Sequence, residues 1–140
     1  FGGGLALAGG FKGTGLAEWI GSGVSGFDVS TWVLVFIVTV AIVYLTEITS
    51  NTASTATFLP ILGAVAVGLG LDPRMLAIPV ALGASMAFMM PVATPPNAIV
   101  FSYEDMHLGD MVRAGFWLNI VAILVSFAAM YFLAPIVFGL

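Results

Sequence analysis

The chain has 140 residues, 61% of them hydrophobic and 7% charged, with a formal net charge of -4 and a mean hydropathy of +1.16. A soluble domain typically carries about 25% charged residues, and no soluble fold of this size hides so much apolar surface, so the composition calls for a membrane-embedded chain. Only Lys12, Arg74 and Arg113 are basic and cysteine is absent, which excludes a nucleic-acid footprint, disulfides and a thiolate metal site.

In chain order, residues 1–26 are glycine-rich and start at Phe1. They lack the basic n-region of a signal peptide. They are expected to hold the end of a preceding helix of a longer protein, then a short interfacial helix over 14–20 with Trp19 as anchor and Lys12 and Glu18 among the headgroups. Residues 27–71 form a second unit. Its first arm, "FDVSTWVLVFIVTVAIVYL" over 27–45, is nearly continuous apolar sequence and long enough to cross the hydrocarbon. A polar knot over 46–57 interrupts it, where Ser50, Asn51, Thr52, Ser54, Thr55 and Thr57 bring six polar side chains into eight residues. Apolar helix then resumes to Leu71.

A third unit, 72–113, begins at the surface turn "LDPR", where Pro73 suits the start of a helix. Residues 75–90 are apolar again, and "PVATPPN" over 91–97 breaks them with three prolines in six positions. The polar stretch 102–113 must reach water. The last unit, 114–140, reads as an ordinary spanning helix whose one interior polar residue of note is Asn119.

Two helices are thus interrupted deep in apolar sequence. Irregular backbone at membrane depth is tolerated only where protein buries it or where it lines a cavity, and paired breaks point to a transporter's substrate site. Length alone allows each break to be either a re-entrant tip or the middle of a spanning helix. Ser50, Asn51 and Thr52 are favoured N-cap types, and the helix they open presents free N–H groups to an anion without any basic residue. Thr94 can cap the helix after the second break, with Pro95 or Pro96 at its first position. The carbonyls of 46–49 and of Val92 and Ala93 lose helical partners where the preceding helices stop. Together with the Asn51 oxygen they suit a hard cation such as sodium. An anion and a cation bound side by side each lower the other's desolvation cost.

Other polar residues have plainer readings. Ser54, Thr55 and Thr57 are expected to bond their own i-4 carbonyls or a neighbouring helix. Glu47, the one carboxylate in this apolar region, could bond a helix end or carry protons; a structural role is favoured because no partner base is near it in sequence. His107, with Glu104, Asp105 and Asp110, reads as a solvated loop. A membrane enzyme lacks its nucleophile–base pair here, since there is one histidine and no cysteine. The remaining rival is a purely structural membrane subunit.

"LTEITSNTAS" over 45–54 and "MPVATPPNAIVF" over 90–101 resemble the second signature regions of the divalent anion/sodium symporter family, which includes the INDY-type sodium/dicarboxylate transporters. The resemblance covers nearly the whole chain and is most specific over 45–101. It implies an all-α integral membrane protein of two inverted repeats, each with a re-entrant helical hairpin and a discontinuous transmembrane helix, assembled as a homodimer in the plasma (inner) membrane. This chain would be most of the second repeat, with the first repeat missing. By that pattern Ser50, Asn51, Thr52, Thr94 and Pro95 face the substrate carboxylate. Thr46, Thr49, Asn51 and Ala93 surround a sodium ion, Thr49 and Ala93 through backbone carbonyls. The loop 102–113 would be cytoplasmic and the carboxyl terminus external. The implied activity is alternating-access symport of sodium, the coupling ion, with a succinate-like di- or tricarboxylate, with no other cofactor. A sodium-independent dicarboxylate exchanger or a sulfate carrier of the same fold is the alternative.

Overall fold

A computed structural model describes residues 6, 10, 13–15, 19 and 30–139. The expected interfacial helix over 14–20 therefore lies mostly outside the described residues, as do Lys12 and Glu18. Within it, the exposed Trp19 donates its amide to the Gly15 carbonyl at 3.0 Å.

Six helices follow from residue 30: α1 (Thr31–Thr46), α2 (Asn51–Gly68), α3 (Arg74–Ala84), α4 (Pro95–Phe101), α5 (Leu108–Phe132) and α6 (Ala134–Phe138). No strand occurs among the described residues. Two of the helices, α2 and α5, are long and apolar enough to cross a membrane; α1 and α3 are apolar but shorter. Most of α2 and α5 is not buried inside the chain. The large exposed apolar side chains of α5, such as Trp117, Val121 and Val125, are what lipid solvates and water does not.

Local chemistry sets the ends. Helix α2 closes with Gly70 at φ +71°, and the Leu71 amide reaches back to the Ala66 carbonyl while the Gly70 amide reaches Val67, a Schellman stop that needs the left-handed residue. Asp72 then accepts the Arg74 backbone amide at 2.8 Å and its guanidinium at 2.7 and 2.9 Å. Those bonds hold the Asp72 carboxyl down to about 2.

Helix α3 packs on both α1 and α2, and α5 lies against α1 and α3. The core joins Val35, Val38 and Ile42 of α1 to Val65 and Ala66 of α2, Leu76 and Val80 of α3, and Met130 of α5. Gly83 lets α3 approach α1 closely, since a Cβ there would sit 3.3 Å from an Ile42 methyl. Helices α1 and α5 are antiparallel. Trp32 meets Phe127 edge-to-face and Tyr131 at a tilt at one end, and Glu47 meets Asn119 at the other.

Candidate functional site: two helix breaks on one cleft

The first break is short. Helix α1 ends at Thr46 and α2 begins at Asn51, with Ser50 as N-cap. The Ser50 side chain makes no capping bond; its carbonyl accepts the Ser54 amide at 2.8 Å. The buried Thr46 hydroxyl donates to Asn51 Oδ1 at 2.6 Å and lies 3.4 Å from the Ala84 carbonyl. Thr49 donates to the Leu45 carbonyl at 2.9 Å and pairs with the Ser54 hydroxyl at 2.6 Å. Thr55 bonds the Asn51 carbonyl at 2.9 Å, the i-4 pattern expected of it.

The second break is longer than its prolines require. Helix α3 stops at Ala84, and the chain stays non-helical from 85 to 94, although 86–90 are all apolar or small. The cause is Glu47. Its buried carboxylate accepts the amides of Phe88 (2.8 Å), Met89 (3.0 Å to each oxygen) and Met90 (3.0 Å). Asn119 of α5 adds a fourth donor at 2.6 Å. Amides aimed at a carboxylate cannot also serve a helical ladder, so the helix ends early. The matching carbonyls of Ala87 and Met90 accept from Asn97 Nδ2 at 2.9 and 3.0 Å. Helix α4 then restarts as its sequence predicts, with the Thr94 hydroxyl accepting the Asn97 amide at 3.3 Å and Pro95 in the first position.

A cleft of about 640 Å³ brings the two breaks together: Thr49 and Ser50 line it from the first, Ala93, Thr94 and Pro95 from the second, and Phe101 from α4. Asn51 and Thr52 line a second cleft of about 540 Å³ with Thr55 and Ser85, so the Ser-Asn-Thr tip stands between two hollows. Thr46 lies beneath it, buried. Among the described residues no hydrogen bond reaches the carbonyl oxygens of 46–49 or 91–93, so these acceptors are free where the helix ends expose them. The structure thus adds Glu47, Asn97 and Asn119 to the site. Asn97 is visible in the sequence as the last residue of the proline-rich motif, and Glu47 and Asn119 as polar groups in apolar surroundings, but the bonds that Glu47 makes span 41 to 72 residues.

An all-α membrane domain whose two interrupted helices meet at a cleft carrying a few hydroxyls among apolar side chains belongs to the class of membrane transporters built on broken helices. The chain is a member of the family described as the sodium:sulfate symporter transmembrane region, which matches residues 1–139. Over its whole length it is 45% identical to the sodium-dependent dicarboxylate transporter SdcS of Staphylococcus saprophyticus and 41% identical to the protein of that name from Staphylococcus aureus strain MRSA252. In both cases the chain spans 27% of the relative's length. It is an integral membrane protein of a transporter family.

Proposed function

We propose that this chain supplies one half of the substrate and sodium sites of a secondary transporter that couples sodium entry to uptake of a small di- or tricarboxylate, succinate-like in size. The observation that carries the reading is the shared cleft, where Thr49 and Ser50 meet Ala93, Thr94 and Pro95. Ser50, Asn51, Thr52, Thr94 and Pro95 face the carboxylate, and the amino terminus of α2 adds its free N–H groups. Thr46, Thr49, Asn51 and Ala93 receive the sodium ion. For this the Thr46 hydroxyl turns its proton away from Asn51, so that both oxygens act as acceptors. The other half of each site comes from a first repeat, and the transporter works as a homodimer, the two breaks moving together in alternating access.

Among the described residues the basic side chains Arg74 and Arg113 lie near the ends of the apolar spans, so sodium and helix ends must neutralise the bound dianion. Sodium and substrate therefore raise each other's affinity by the same factor. The names of the relatives favour a dicarboxylate. The description of the family favours sulfate as a second reading. Uptake of labelled succinate into vesicles carrying the full-length polypeptide tests both. Sodium-driven uptake that unlabelled succinate blocks and sulfate does not is the expected result. Uptake blocked only by sulfate selects the second reading, sodium-independent uptake selects an exchanger, and no uptake of either anion overturns the proposal.

A further inference from the structure

We infer that Glu47 is the positioning residue that holds the second break against the first, and that α5 backs it through Asn119 and Gly115; this rests on the sodium site proposed above. Glu47 directly follows Thr46 and precedes Thr49 and Asn51 in the chain, while its carboxylate grips the amides of 88–90, just before Ala93. The two groups of proposed sodium oxygens are therefore joined through one side chain.

Glu47 does not serve as a sodium ligand itself. Four N–H groups already converge on its two oxygens, and a cation there would face the positive ends of those dipoles. Its work is geometric. With the amides of 88–90 held by Glu47 and the carbonyls of Ala87 and Met90 held by Asn97, the backbone is fixed at both ends of this stretch. Steric contact completes the clamp. A Cβ at Gly115 would lie 2.3 Å from the Phe88 carbonyl oxygen and 2.6 Å from Met89 Cα, so the unwound backbone rests directly on α5. Asn119, one turn further along the same face, is fully buried and reaches Glu47, while its own Oδ1 has no partner among the described residues. The contact to Glu47 is what that side chain is there to make.

The test measures sodium-dependent uptake by the full-length polypeptide, reading the half-saturating sodium concentration separately from the maximal rate and from the amount of protein in the membrane. Glu47→Gln turns one acceptor into a donor facing donors. It should raise half-saturating sodium by about tenfold, equivalent to about 1.4 kcal/mol, as expected for lost hydrogen bonds to a charged group. Gly115→Ala changes no charge but pushes the break off α5, and it should raise half-saturating sodium in the same direction. If either variant fails to accumulate, Asn119→Ala replaces it with the same expected direction. A purely structural role would lower the amount of active protein and leave half-saturating sodium where it was; that result in these variants overturns the inference while leaving the proposed function standing. A wild type whose uptake ignores sodium overturns the functional reading, and this inference with it.

Discussion

At the first break, the residues that stabilise the interruption are close in sequence: Thr46 reaches Asn51 and Thr49 reaches Ser54, each five residues on. At the second, backbone amides of 88–90 turn to Glu47, more than 40 residues earlier in the chain, and the backbone rests on Gly115 of α5. Membrane interiors offer no water to freed backbone groups. A break can tie its own side chains to one another and leave its carbonyls free for a ligand, or borrow donors and acceptors from elsewhere. The first kind is polar in sequence and mostly local, with Thr46 alone reaching a distant group, the Ala84 carbonyl. The second is apolar in sequence and depends on tertiary structure. The second break should therefore fail when distant residues change, and the first only when its own do.

The largest effect expected from that contrast is on stability. Glu47→Ala leaves three backbone amides and Asn119 without their acceptor, at about 1–3 kcal/mol for each buried group left unpaired. Thermal unfolding of the purified full-length polypeptide in detergent should show a loss of at least about 3 kcal/mol. A variant as stable as the wild type would mean that the second break does not depend on distant residues.

Thr94→Val sharpens the comparison at a place where the second break uses its own side chain. The lost cap costs about 0.5–2 kcal/mol of stability. The lost hydroxyl should also weaken dicarboxylate binding by about tenfold, the loss expected for a hydrogen bond to a charged ligand. Calorimetric titration separates the two. Weaker folding with unchanged affinity would reduce 91–97 to a structural kink.

Ser54→Ala probes the mostly local break and should do less. It removes the pairing with Thr49 but leaves the bond from Thr49 to Leu45 in place, so the expected loss is about 1 kcal/mol, with the amides of 88–90 unaffected in hydrogen exchange. Faster exchange at 88–90 in this variant would show that the two breaks share one network.

The smallest effect is expected outside both breaks, at the turn before α3. The Asp72 carboxyl titrates at about 2 rather than 3.8 because it accepts bonds from Arg74. A folded-state value below the unfolded one stabilises the fold above the unfolded value, and that contribution disappears as pH falls from 3.8 through about 2. Arg74→Ala should return the Asp72 titration toward 3.8, followed by NMR in micelles, with little change in stability at neutral pH because the pair is exposed.

Much of this was legible from residue types alone. The composition demanded a membrane, because so little charge cannot cover a soluble fold of this size. The run Ser50-Asn51-Thr52 marked the start of α2 because short polar side chains favour helix starts, and Thr94-Pro95 marked the start of α4 because proline fits where no amide partner is needed. The motifs around them pointed to the family. The end of α3 at Ala84 was not legible. Residues 85–90 contain nothing that breaks a helix, and helix is their expected local state. They unwind where Glu47, itself bonded by Asn119, takes the amides of 88–90 and Asn97 takes the carbonyls of Ala87 and Met90. Sequence by itself therefore determined where polar groups interrupt apolar helices. Tertiary structure alone decided how far the second interruption extends and what holds it, because backbone hydrogen bonds carry no residue identity and go to whichever acceptor the fold brings within about 3 Å.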